Sequence, residues 1–224
     1  TYLALLLIWN IPYYIFPIIA LLCNIIVVSG NSFNYVRAGN HNFKLLLPFI
    51  IGSVPFAFFG GTLKIEKDIF EILLFFVLSI AGLLLLINNK SYEVDNFITK
   101  KINPITSFFI GSLLGLISGI VGIGGGIFLS PILFLLKAEK PKIIATTASL
   151  FILINSISGA FGQMTKENVL NELSLYWLLF LSVFIGGRIG NHLNLKFLSS
   201  RALSIITSIL VIFVSIRIGI RIFV

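Results

Sequence analysis

Gly122-Ile123-Gly124-Gly125-Gly126 sits inside a stretch that carries no charge between Lys101 and Lys137, with Pro131 five residues further on. Glycine opens φ > 0 and weakens a helix by about 1 kcal/mol per residue. A run of this kind predicts a break in the backbone. In an apolar surrounding the freed N–H and C=O groups cannot turn to water, so protein or a wet cavity must satisfy them. A helix starting just after Gly126 presents free amides at Ile127 and its neighbours, together with the positive end of its dipole. That combination suits a small anion. Half-helix ends converging at mid-membrane are how solute carriers build their sites.

Other residues can join Gly124, Gly125, Gly126 and Ile127 around such a ligand. Thr146, Thr147 and Ser149 place hydroxyls near a helix start, and Asn155 and Asn24 place amides inside apolar helices. Arg188, in Gly186-Gly187-Arg188-Ile189-Gly190, is the only cation well inside an apolar helix. Each has a plainer reading. Hydroxyls cap helices or bond back to helix carbonyls, and buried amides join helices. Arginine near a helix end snorkels to the headgroups. Gly111, Gly115 and Gly119, spaced by four, read as a packing face. Nothing suggests a cofactor. His41 and His192 have no partner at metal-ligand spacing, so no metal site is expected. Cys23 reads as a small packing residue.

The elements that carry these residues are membrane helices. The chain has 224 residues, 58% of them hydrophobic and 11% charged, against about 25% charged in soluble domains. Its mean hydropathy is +1.08. Uncharged runs cover 1–36, 45–63, 72–89, 102–136 and 143–165, each near or above the roughly 18 residues of a spanning candidate. The expected fold is an all-α polytopic transmembrane bundle. A net charge of +8 is scattered through short connections without interleaved aromatics, which excludes a nucleic-acid face. Topology and anionic headgroups account for it.

The chain also repeats. At an offset of about 129 residues Pro12 falls on Pro141, Ser29-Gly30 on Ser158-Gly159 and Arg37 on Lys166; with one residue of drift Gly60 falls on Gly190 and Leu63 on Leu193. The second unit, residues 100–224, reads as a broken segment over 105–136 and helices near 142–160, 173–195 and 201–222. The first, residues 1–99, reads as a stub over 1–8 and helices near 12–29, 45–63 and 69–87. It lacks the counterpart of 105–130, as an N-terminally truncated sequence or a divergent half-repeat would. If 105–136 enters and leaves on one side, loops 37–44, 88–104, 137–142 and 194–201 share that side. They then hold ten of the basic residues, which obeys the positive-inside rule and makes the two units inverted repeats.

The string from Gly111 through Gly115, Gly119 and Gly122–Gly126 to Pro131 resembles the signature of the sulfite-exporter (TauE/SafE) family. So do Ala145-Thr146-Thr147-Ala148-Ser149, Tyr35-Val36-Arg37-Ala38-Gly39 and Gly186–Gly190, and the likeness covers nearly the whole chain. The resemblance implies export of a small anion, sulfite or an organosulfonate, across the cytoplasmic (inner) membrane. It implies a transporter and no enzyme. The partners expected are that anion and the bilayer, with a homodimer left open and no nucleic acid. Two other classes compete: a non-transporting membrane scaffold, and an intramembrane serine protease using Ser118 of Gly115-Leu116-Ile117-Ser118-Gly119 with His192. The protease spacing is one residue longer than Gly-x-Ser-Gly, and nothing else supports a dyad.

Overall fold

The computed structural model describes residues 11–87, 99–167, 169–197 and 200–223. The chain order is α1 (Phe16–Arg37), α2 (Phe43–Thr62), α3 (Lys67–Ile87), α4 (Pro104–Val121), α5 (Gly126–Leu135), α6 (Pro141–Met164), the short α7 (Val169–Leu173), a 3-10 turn (Ser174–Tyr176), α8 (Trp177–Phe197) and α9 (Ser200–Phe223). No strand occurs among the described residues. The stub at 1–8 and most of the 88–104 loop lie outside them.

Local chemistry sets the helix starts. Pro17, Pro104 and Pro141 occupy first-turn positions, where the missing N–H costs nothing. Asn42 and Asn103 cap α2 and α4 by accepting from the amides of Leu45 (3.2 Å) and Ile105 (2.9 Å). Two helices outrun the lengths expected from sequence. α1 continues past Ser29-Gly30 to Arg37, where Gly39 at φ +74° turns the chain, and α6 continues past Gly159 to Met164. A glycine within a helix costs only about 1 kcal/mol, which tertiary packing outweighs.

The bundle is inside-out relative to a soluble protein. Ile51, Phe76, Leu113, Phe161 and Phe213 are exposed, whereas Ser53, Ser118, Thr146, Asn155, Ser156 and Gln163 are fully buried. Exposed apolar surface of this extent marks a lipid-facing exterior. Among the described residues, five helical stretches are long and apolar enough to span a bilayer: Phe16–Arg37, Phe43–Thr62, Pro104–Val121, Pro141–Met164 and Ile205–Ile222.

The centre is built on α2, α4 and α6. Gly111, Gly115 and Gly119 lie directly against the backbone carbonyls of Phe49, Ser53 and Ala57, and Gly52 and Gly60 of α2 return the contact against Phe108 and Leu116 of α4. A Cβ at any of them would meet backbone, which cannot give way. The spacing of four is therefore a packing face. α1 packs on α6 and α8, and α3 on α9. Ser112 and Ser158 tie to α2 by donating to the carbonyls of Gly52 (3.3 Å) and Val54 (2.6 Å).

The connections fall into two sets. On one side, the Lys100 amide donates to the Lys137 carbonyl (2.9 Å) and Asn42 Nδ2 to Glu139 Oε1 (3.0 Å). On the other, Tyr14 donates to Glu172, and Glu71 lies 3.9 Å from Lys67 and 3.7 Å from Arg221. The hydrogen bond to Glu172 pushes the Tyr14 hydroxyl above its usual pKa.

Candidate functional site

The glycine cluster interrupts the helix. α4 ends at Val121, and Gly122 (φ +84°), Gly124 (+81°) and Gly125 (+70°) all take left-handed backbone that a side chain would oppose. α5 then starts at Gly126. The first contact to the Lys100 side is restored at Lys137, so α4 and α5 form a hairpin whose open end lies on one side. With 18 residues in α4 and 10 in α5, the arms are roughly 27 and 15 Å long at 1.5 Å per residue. The shorter arm leaves the α5 N-terminus deep in the bundle. A Cβ on Gly126 would meet the Ile152 side chain and the Ala148 carbonyl (2.9 Å), which belong to the middle of the 24-residue α6.

The turn consumes part of its own polarity. The Gly126 amide donates to the Gly124 carbonyl (2.9 Å), and those of Phe128 and Leu129 donate to the Gly125 carbonyl (3.2 Å each). Of the first three amides of α5, that of Ile127 is the one the turn does not take. Asn24 of α1 braces the break from the other side, its Nδ2 donating to the Gly122 carbonyl at 3.3 Å. The free position of Gly124 points at two polar side chains and the Ile152 methyl, and that of Gly125 at the Phe151 ring, the Leu114 carbonyl and Ser118. A Cβ on Gly124 would lie 2.8 Å from Asn24 Nδ2 and 3.1 Å from Ser156 Oγ; one on Gly125 would lie 2.9 Å from Phe151 Cε1 and 3.6 Å from Ser118 Cβ.

Ser118 Oγ, Ser156 Oγ and both amide atoms of Asn155 are buried without a hydrogen-bond partner. Asn155 lies one turn from Phe151 and one from Gly159 on the same face of α6. Phe151 faces Gly125, and a Cβ on Gly159 would sit 3.4 Å from Gly119 Cα. Ser118 and Ser156 therefore border the break, and Asn155 lies on the α6 face that turns toward it. Unmade hydrogen bonds at buried groups cost about 1–3 kcal/mol each. Three of the four polar atoms, Ser118 Oγ, Ser156 Oγ and Asn155 Nδ2, can donate to an anion beside the N-terminus of a half-helix, while Asn155 Oδ1 can only accept.

The other residues singled out from sequence are dispersed. Thr146 Oγ1 donates to the Lys142 carbonyl at 2.9 Å, within its own helix. Thr147 is buried nearby in α6. Ser149 pairs with Ser32 of α1 at 2.9 Å. Arg188 is exposed on α8, its guanidinium carbon 5.3 Å from the Phe184 ring centroid, and shares a small cleft with Ser29, Gly30, Asn31 and Asn34 of α1. It is not brought to the break. Arg188→Gln is accordingly expected to leave the half-saturating anion concentration in a liposome flux assay within about twofold of the parent, since the charge acts at the surface. The side chain of His192 lies outside the described residues. Ser156 escapes sequence reasoning, and Ser118 enters it only as a protease nucleophile and not as a ligand group, because a hydroxyl in an apolar helix ordinarily bonds back to a carbonyl four residues earlier. Ser112 does so, donating to Phe108 at 2.9 Å.

A lipid-facing helical bundle around a hairpin broken at mid-depth defines a polytopic membrane protein of the transporter class. The chain belongs to the sulfite exporter TauE/SafE family, whose model matches residues 1–218. It is 25% identical to the probable membrane transporter protein y4hK of Sinorhizobium fredii over 85% of this chain and 77% of that one. It is 22% identical to the probable membrane transporter protein YunE of Bacillus subtilis over 84% and 75%. A probable membrane transporter protein of Methanocaldococcus jannaschii is 30% identical over 64% of this chain and 55% of its own. No solved structure matches significantly.

Proposed function

We infer that this transporter exports a small oxyanion, sulfite or an organosulfonate, across the cytoplasmic (inner) membrane, and that the anion binds at the Gly124–Ile127 break. One observation carries the reading: four buried polar atoms without partners, those of Ser118 and Ser156 bordering the break and those of Asn155 on the α6 face that turns toward it. Ile127 N–H, the two hydroxyls and the Asn155 amide donate to the oxyanion, and the α5 dipole offsets its charge. Neutral donors fit a ligand that must also leave. The described acidic residues lie in loops or near helix ends, and an anion moving outward needs no carboxylate relay. The inside-negative potential favours its exit by about 2.3 kcal/mol per charge per 100 mV.

The same reading takes the two units as inverted repeats. The repeat-related helices α1 and α6 pack on each other, as do α3 and α9, and the α2–α6 contact has its counterpart in α8–α1. Such pairing supports a two-fold relation with the site near its axis.

Counterflow in liposomes separates this function from a scaffold or an enzyme. Vesicles preloaded with sulfite are expected to accumulate labelled sulfite, and organosulfonates to compete with it. Sulfate and carboxylates are expected to compete less. No exchange of any of these anions would leave the scaffold reading in place.

A further inference from the structure

The side of the break remote from Lys100 and Lys137 opens on a cavity of about 280 Å³ whose lining includes Pro17, Ile120, Lys64, Lys166 and Glu167. It adjoins the break through Ile120 and Pro17. Ile120 stands two residues before Gly122, and a Cβ on Gly122 would lie 2.7 Å from Pro17 Cα. Lys166 is held in place there. Its Nζ donates to Gln163 Oε1 at 2.8 Å, and Gln163, fully buried, donates from Nε2 to the Gly119 carbonyl at 2.7 Å. A half-buried ammonium is thus tied, through Gln163, to the turn of α4 that precedes the break.

We propose that the Lys64–Lys166 cavity is a second anion-binding step, which holds the transported oxyanion between the break and water on that side. The proposal rests on the anion-transport reading of the break. The charged and hydroxyl groups that line the cavity with Lys166 are Lys64 from the α2–α3 connection, Glu167, and Tyr13 and Tyr14 from the segment before α1, while α3 and α4 contribute Phe70 and Ile120. The carboxylate of Glu172 is engaged by the Tyr14 hydroxyl at 3.0 and 2.9 Å. Two ammonium groups therefore face one free carboxylate. Burial first, and the charge of Lys64 second, lower the Lys166 pKa to about 8. An oxyanion between the two lysines relieves both. A wall of like charge at a low-dielectric mouth also raises the local anion concentration.

The test is labelled-sulfite counterflow by the reconstituted protein, comparing variants at each pH so that the titration of sulfite itself cancels. At pH 7 Lys166→Gln is expected to raise the half-saturating concentration about five- to tenfold, with Lys166→Arg close to the parent. The sign with pH follows from the lysine being charged below about 8 and neutral above it. Raising the pH to 9 therefore weakens the parent toward the Gln variant, and the ratio between them falls toward one. The Arg variant, charged throughout, stays tight. A Gln variant with parental half-saturation at pH 7, or a ratio that does not change with pH, would overturn the proposal and leave the break untouched. Flux that persists in Gly125→Leu would instead remove the break reading, and absence of sulfite flux in the parent would remove both.

Discussion

Gly125→Leu is expected to abolish anion flux in a protein that still inserts and remains folded. Gly125 sits at φ +70°, a conformation that a leucine opposes, and a Cβ there would meet Phe151 Cε1 at 2.9 Å and the Leu114 carbonyl at 3.3 Å. The side chain would project between Phe151 and Ser118, into the place assigned to the anion. The close contacts that join α2, α4 and α6 are made at other glycines, Gly52, Gly60, Gly61, Gly111, Gly115, Gly119 and Gly162, which the change leaves in place. Loss of at least about two orders of magnitude in initial rate is the expectation, because the same substitution displaces the Ile127 donor and fills the site. Gel filtration in detergent checks the fold, and counterflow checks the function. Normal flux would show that the anion passes elsewhere.

The double variant Ser118→Ala, Ser156→Ala is expected to separate function from stability in the opposite sense to most core changes. Both hydroxyls are fully buried and unpartnered. Removing them leaves no other group unsatisfied and relieves about 1–3 kcal/mol of desolvation at each position. The unliganded protein is therefore expected to melt at the parental temperature or a few degrees higher. A hydrogen bond to a charged ligand contributes about 1.5–3 kcal/mol, so loss of even one lowers anion affinity about tenfold or more. A thermal melt in detergent, beside counterflow, reads both effects. Lower stability with unchanged flux would make the serines ordinary packing residues.

Much of this arrangement is legible from residue types alone. Three glycines among four residues can be accommodated in an apolar stretch only by breaking it, and the break runs from Gly122 to Gly125. The spacing of Gly111, Gly115 and Gly119 marks the face on which α2 seats. The extent of α1 was not legible, because Gly30 has open space around it and its helix penalty is small beside the packing of neighbouring turns. The hydroxyls at the site were not legible for a different reason. Thr146, Ser112 and Ser118 are chemically alike in sequence, yet the first two bond back within their helices and only Ser118 among them is left unpaired. That distinction is set by the tertiary position of the break. For Arg188 the sequence leaves substrate contact and snorkelling both open, and its guanidinium lies over the Phe184 ring on the exposed face of α8.

The central claim is that the α5 N-terminus, with Ser118, Asn155 and Ser156, holds the transported anion. Equilibrium binding of labelled sulfite to the purified, detergent-solubilised protein tests it most directly, because binding at the break does not depend on sidedness or on the transport cycle. With Lys166→Gln present throughout to weaken the outer step, the otherwise parental protein and Arg188→Gln are predicted to show tight saturable binding of equal stoichiometry, and Gly125→Leu to lose it. Saturable binding of parental affinity in Gly125→Leu would contradict the account.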